Sequence, residues 1–357
     1  MYAEEFIRAE GERSNVISPC LVSSSSFLPF LHIGHMMKLS RQFSALSLAV
    51  PFLALLLAPS QLPAQEPEKP RMLFVTQSKG FVHNPVKRKS AERSGAELAM
   101  MQLAKDTGEF TVVCTQNLEA DFTKENLENF DIVAFYTTGK LPISPETFDF
   151  FLTKWLPQKG NGVMGFHSAT DTFKDFEPYW DLMGGTFNGH PWGANSTVTM
   201  QIHDIDHPGM KPFGAEQFEF KDEIYQYNHW QPEKVHLLMS LDMEHTQLKR
   251  PYHVPVAWCK QIGEGKLFYN NMGHRDDTWT NKAFLGSITG AVRWIAGKEK
   301  GDATPNPEVS AAQQKASEEF AAAAGVTSAK LEAEKKAKAA AAAARRAAKE
   351  KQKKAGK

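Results

Sequence analysis

The sequence predicts an α/β domain over residues 71–298, a mostly parallel sheet with helices on both faces and antiparallel additions at one edge. Three observations lead there. The first half alternates continuous apolar runs of strand length with segments of helical period, which is how buried parallel strands and their crossovers read. The second half turns strand-rich, with alternating runs. The chain is 42% hydrophobic and 11% aromatic, enough for a sizeable core in 357 residues.

Taken in order, Met72–Thr76 is an apolar run bounded by turn signals and reads as a buried first strand. Residues 88–106 set Ala91, Ala96, Leu98, Ala99, Met101 and Leu103 among charges, a helical pattern. Phe110–Thr115 and Asp131–Thr137 read as the next strands, with a short helical stretch near Lys124–Asn129 between them. Pro145–Leu156 reads as a helix with proline in its first turn, where a missing N–H costs little. Gly162–His167 is a fourth strand running into a polar cluster. Beyond Asp171 the strands are Thr197–His203, Val235–Leu241, Val254–Lys260 and Lys266–Asn271, the last two flanking the turn Gly263-Glu264-Gly265. Phe284–Ile295 closes the domain as an amphipathic helix.

The two ends have other compositions. From Met37, a basic start at Lys38 and Arg41, an apolar run from Leu46 to Ala58 and the small-residue stretch Leu62-Pro63-Ala64 read as a cleaved signal peptide over 37–64. Residues 1–36 then lie upstream of the true start, 65–70 form a Pro-rich linker, and a periplasmic or secreted location follows. Residues 299–357 read as a low-complexity basic tail: from Ser328 onward there are 11 Lys or Arg against 3 Glu, although the whole chain balances 41 basic with 41 acidic residues. Ala- and Lys-rich sequence favours helix but offers almost no apolar stripe for docking. A solvated helix is expected, with contact to an anionic envelope surface as its sharper use. No nucleic-acid partner is expected of the balanced whole. Three cysteines without paired spacing exclude a disulfide scaffold and a cysteine zinc site; Cys114 and Cys259 sit in apolar strands and read as inert core thiols.

Ligands of open α/β sheets bind beyond the carboxyl ends of the strands. There the sequence places Lys79-Gly-Phe-Val-His83, then Thr137-Thr-Gly139, then Gly165-Phe-His-Ser-Ala-Thr-Asp171, so His83, His167 and Asp171 should share one crevice. Three further clusters are Gly184–Trp192 with His190, Asp222–Tyr227 with Glu223, Tyr225 and Tyr227 on one face, and Asn271–His274. Gly165–Ala169 has the outline of a nucleophile elbow, but His167 stands where serine or cysteine would. An imidazole there can act as acid, base or metal ligand.

In order along the chain, Lys79–His83, Gly165–Phe173, Phe187–Pro191, Asp222–Tyr225, Pro255–Cys259 and Gly273-His274 resemble the ThuA-like (trehalose utilisation) family over residues 71–297. The resemblance implies a flavodoxin-like fold of the class I glutamine amidotransferase-like superfamily and a link to trehalose and related sugars, 3-keto derivatives included. Where those amidotransferases carry a cysteine nucleophile this chain has His167, so Cys-dependent chemistry is not implied. The family motif usually has a basic residue before its first histidine, and Val82 occupies that place here.

The expected activity is therefore on a carbohydrate or keto-sugar small molecule, by hydrolysis, elimination or isomerisation; a sugar-binding or envelope scaffold protein is the alternative. His167, Glu223 and His274 are the expected catalytic residues. His83, Ser168, Asp171, His190, Trp192, Tyr225 and Tyr227 would bind substrate, the aromatic ones by stacking on sugar faces. If a divalent ion takes part, imidazole ligation favours zinc, on His167, His190 and His274.

Overall fold

The computed structural model describes residues 68–90 and 92–355. Residues 1–36 with Cys20, the 37–64 leader, the first part of the linker and Ala91 lie outside the described residues.

The first four strands are β1 (Arg71–Val75), β2 (Thr111–Thr115), β3 (Ile132–Phe135) and β4 (Gly162–Phe166). Their alternation sends residues to two cores. Met72, Phe74, Ile132, Ala134, Met164 and Phe166 face one layer, and Leu73, Val75, Val133, Phe135 and Val163 face the other. The first layer is covered by α1 (Gly95–Thr107) and α6 (Lys282–Ile295). The second is covered by the short helices α2 (Leu118–Asp121) and α3 (Lys124–Leu127), then α4 (Pro145–Phe150) and α5 (Glu177–Met183). Two-sided burial is why these strands read as unbroken apolar runs.

The remaining strands are β5 (Thr186–Phe187), β6 (Thr197–Ile202), β7 (Gln217–Lys221), β8 (Tyr227–Asn228), β9 (His236–Leu241), β10 (Pro255–Ile262) and β11 (Gly265–Asn270). The main sheet runs β2-β1-β3-β4-β11-β10-β9-β6-β7, with β5 and β8 forming a separate ribbon. Its first five members are parallel and the other four antiparallel, as the sequence predicts. The edge strand β7 was not anticipated: Gln-Phe-Glu-Phe-Lys is only half-buried.

Three expectations change. Helix α1 starts at Gly95, not near residue 88, because Ser94 caps it: its Oγ accepts from the Glu97 N–H, and the Glu97 carboxylate accepts from the Ser94 N–H at 2.8 Å. That start rotates the buried face to Ala96, Met100, Leu103 and Ala104, and leaves Leu98 and Met101 exposed. The predicted helix to Leu156 is α4 followed by a π-helical turn over Phe151–Trp155.

The third change concerns residues 299–323, expected as tail. Here α7 (Pro307–Ala323) docks on the domain beside β9, with Ser310, Ser317 and Ala321 buried. The Thr304 carbonyl accepts from His236 Nδ1 at 2.6 Å, Asn306 Oδ1 from the Leu237 N–H at 2.7 Å, and Gln314 Oε1 from the His253 N–H at 3.1 Å. Phe320 packs against the core and small residues and side-chain amides make the other contacts, so the apolar stripe is too thin for hydropathy to reveal the docking. Only α8 (Ser328–Ala355) matches the solvated helix, exposed through Arg346 except at Leu331. No helix of the described residues is long and apolar enough to cross a membrane. Cys114 and Cys259 are buried and free, and burial raises both thiols, Cys114 to about 12.

Candidate functional site

His167 directly follows β4 and opens a single turn of tight helix over His167–Asp171. Its φ of 42° lies in the left-handed region, which non-glycine residues rarely enter. The strain is held by the packing around it. Tyr269 Oη donates to the His167 carbonyl at 2.6 Å, and His167 Nδ1 donates to the Asn271 carbonyl at 2.8 Å. Because a carbonyl only accepts, Nδ1 carries the ring proton and Nε2 is left with its lone pair.

Around that lone pair stand four more polar groups. His274 Nδ1 is 3.2 Å from His167 Nε2, and Glu223 Oε1 is 3.2 Å from His274 Nδ1 and 3.7 Å from His167 Nε2. His190 meets the other carboxylate oxygen, Oε2, at 3.3 Å. The His83 ring lies 4.9 Å from that of His167 and 5.2 Å from that of His274, centroid to centroid. Its Nε2 is 3.1 Å from Tyr225 Oη, while its Nδ1 is buried without a partner. The Tyr225 ring packs 4.2 Å from that of His167.

Two residues hold the loops together. Asp222 accepts from the N–H groups of Glu223 (2.9 Å), Gly273 (2.8 Å) and Arg275 (3.1 Å) and from the Thr278 hydroxyl (2.9 Å), which ties Glu223 to the loop of His274. Asn271 pairs its side chain with the Tyr225 backbone, Oδ1 accepting at 3.2 Å and Nδ2 donating at 3.0 Å, while its own carbonyl orients His167. Gly273 takes a φ of 126°, so its carbonyl can accept from Tyr136 Oη and Trp279 Nε1 at 2.8 and 2.9 Å.

Burial sets the electrostatics. It drives His167 well below the usual imidazole range, assisted by His83 and His274. It lowers His83 to about 3, with His274 and His190 adding to the effect. His274 is shifted upward: burial opposes charge there, but the hydrogen bond and charge of Glu223 prevail. Asp222 is raised by burial against the pull of the hydrogen bonds from Gly273, Glu223 and Thr278 and the charge of His274. A carboxylate shared among imidazoles can relay a proton. The donor atoms of His83, His167, Glu223 and His274 also lie within 4.8 Å of one another, close enough to hold one metal ion.

Not every expected residue belongs here. Trp192 is fully buried and donates Nε1 to the Gln247 carbonyl at 2.9 Å, so it has no face for a sugar. Tyr227 turns toward the core, its Oη 3.3 Å from Tyr269 Oη and its ring edge-on to Trp258. Ser168 is buried with an unpartnered hydroxyl. Asp171 pairs with Lys174 at 2.8 Å and lines a separate cavity with Gly139, Phe148, Phe173 and Phe176, in which no histidine takes part. His190 touches Glu223 without joining the close donor set, where His83 and Glu223 stand instead.

The aromatic surfaces are Phe81, 66% exposed and edge-on to His83, and Phe187, half-buried against Tyr225 with Lys174 Nζ 5.3 Å above its ring. Both lie inside motifs visible in the sequence, as do Asp222 and Asn271.

A profile of the ThuA family, described as trehalose utilisation, matches residues 71–295. Among solved structures, the chain is similar to a ThuA-like protein from Bacteroides uniformis ATCC 8492, at 18% identity over 70% of this chain and 99% of that one, with a TM-score of 0.50. A ThuA-like protein from Parabacteroides merdae ATCC 43184 is similar at 14% identity over 68% and 99%, with a TM-score of 0.49. A cytoplasmic protein from Salmonella typhimurium follows at 10% identity over 63% and 98%, with a TM-score of 0.43. No curated protein matches the chain in sequence. At these identities the first of these likenesses speaks to the fold alone.

Proposed function

Because the chain belongs to the ThuA (trehalose utilisation) family, with the glutamine amidotransferase-like fold, we propose that it is an enzyme acting on a carbohydrate or keto-sugar derivative at the histidine–glutamate cluster. The observation that carries this reading is the single carboxylate of Glu223 shared by His167, His190 and His274, all delivered by loops beyond the sheet.

Hydrolysis, elimination and isomerisation of sugars all need a proton removed at one atom and delivered at another. His274 and Glu223 share a proton and supply the acid and the base; groups so placed contribute about 10²–10⁴-fold. His167, fixed as the Nδ1–H tautomer, presents a lone pair that holds the His274 proton in line. Phe81 and Phe187 offer apolar faces for a pyranose ring, and His190 a polar edge for its hydroxyls.

The test is turnover of trehalose, related disaccharides and their 3-keto derivatives by the full chain and by Glu223→Gln. Product formation that falls at least about 100-fold in the variant supports the reading. Saturable sugar binding without product would support a sugar-binding protein instead. Export and contact of the basic α8 with an anionic envelope surface belong to the same proposal, and N-terminal sequencing of the protein from its host tests the first: a mature start near Gln65 is expected.

A further inference from the structure

We propose that His83, His167, Glu223 and His274 form a binding site for one divalent transition ion of the zinc type. The proposal rests on the reading of this cluster as the reacting centre, and adds the group that would polarise a sugar oxygen there.

Spacing is the first argument. Donors bound tetrahedrally at about 2.0–2.1 Å stand about 3.3 Å from one another. The observed separations are 3.2 Å between His274 Nδ1 and His167 Nε2, 3.2 Å between His274 Nδ1 and Glu223 Oε1, and 3.7 Å from that oxygen to His167 Nε2. All four donors lie within 4.8 Å, so only a small closure is needed.

Outer anchoring is the second. Ligating histidines commonly commit their other ring nitrogen to a fixed partner. His167 commits Nδ1 to the Asn271 carbonyl and His83 commits Nε2 to Tyr225 Oη, which leaves each with one nitrogen to give. For His83 the remaining nitrogen is only an unmet polar atom in a residue 2% exposed. A buried imidazole nitrogen without a partner is destabilising. An ion there removes that penalty, and it replaces the proton that His274 and Glu223 otherwise share.

The donor set is the third. Three imidazoles and one carboxylate suit zinc and its first-row neighbours and do not suit calcium or magnesium, which prefer all-oxygen shells. With the ion in place His190, 3.3 Å from Glu223 Oε2 and half-exposed, is the imidazole left to exchange protons with substrate.

The full chain, stripped with chelator, is loaded with Zn²⁺, desalted and assayed for metal, and Co²⁺ is used in parallel for its visible absorption. One ion per chain is expected. His83→Ala and Glu223→Gln should lose it, and Tyr225→Phe, which keeps the ring packing, should bind about tenfold more weakly. His245→Ala, removing an exposed imidazole paired with Asp242, should bind normally. Less than about a tenth of an equivalent with Zn²⁺, Mn²⁺, Fe²⁺, Co²⁺ and Ni²⁺ alike overturns the site, as does a full equivalent kept by Glu223→Gln. Sugar turnover at full rate by the stripped protein overturns the ion while leaving the carbohydrate reading intact. An ion bound at these residues with no sugar converted supports the site and sinks the carbohydrate reading.

Discussion

His167 Nε2 and His274 Nδ1 face each other at 3.2 Å, and the direction of the proton between them is fixed from outside the pair. The Asn271 carbonyl takes the other His167 proton, so in the metal-free protein only His274 can donate. His274→Ala should therefore abolish sugar turnover, by at least about 100-fold, while lowering stability by about 1–3 kcal/mol for the unmet partner. Urea unfolding alongside the assay separates the two effects. Activity lost only in proportion to unfolded protein would make His274 structural.

Asp222 collects four donors, one from its own loop and three from the connection between β11 and α6. In Asp222→Asn one oxygen becomes a donor facing other donors. A loss of about 2–4 kcal/mol is expected, since hydrogen bonds to a charged acceptor are each worth about 1.5–3 kcal/mol. Chemical denaturation at neutral pH checks it, and an unchanged midpoint would show that the loops are held elsewhere.

Three histidines far from the cluster, His207 and His253 buried and His203 half-buried, make stability depend on pH. Burial lowers His203 to about 4, and lowers His207 and His253 to about 3, with His236 adding at His207 and His203 at His253. Unfolded, each titrates near 6.5. Their neutral forms are the folded ones, so stability is full above about pH 6.5 and declines toward pH 3–4, by about 1.4 kcal/mol per pH unit for each group. Both ring nitrogens of His253 lack partners, so His253→Leu should be no less stable at pH 7.5 and should lose stability less steeply at pH 5. Melting curves at the two pH values decide; parallel losses in variant and parent would exclude His253 from the effect.

Glu97 is fully buried, capping α1 and accepting from Thr76 and Arg88, and those hydrogen bonds hold its carboxyl below the usual range against the opposing effect of burial. Arg88→Ala strips the charge partner from a buried carboxylate and should cost about 3–5 kcal/mol. A loss under about 1 kcal/mol, measured by urea unfolding, would mean that Thr76 and Ser94 suffice.

Gly290 faces the Pro208 carbonyl, where an added Cβ would stand 1.9 Å from the oxygen. Backbone cannot yield as a flexible side chain does, so Gly290→Ala should give little soluble folded protein. A normally folded variant would show that α6 can slide on its neighbour.

Strands with both faces buried, and the polar residues just past their ends, were the legible part of the sequence. His83 and His167 follow β1 and β4, and Glu223 and His274 sit in dense polar clusters beside apolar runs, so their convergence could be foreseen. Aromatic roles were not legible, because whether Trp192 or Phe187 shows its face depends on packing against distant residues such as Gln247 and Tyr225. The capping box at Ser94 and Glu97 was written in the sequence, but periodicity alone placed the helix start too early. Docking of α7 has only a faint hydropathy signal, since beside Phe320 it rests on serine, alanine and amide contacts. Glutamate in place of His190 in the close donor set follows from loop closure by Asp222, which spacing along the chain does not encode.

The pairing of β4 with β11 joins residues 162–166 to 266–270 across about a hundred intervening positions. Sheets with such distant partners form slowly, because the entropy of closing the long loop is lost before the contacts repay it. A chain emerging from its amino end can build β1 to β4 early, yet the middle of its sheet stays open until the antiparallel half has arrived. His167 and His274 flank that last seam. A fragment ending before β11 would carry four of the five parallel strands together with His83, His167, His190 and Glu223, yet would lack Asn271 and His274, leaving His167 without its orienting carbonyl and its partner.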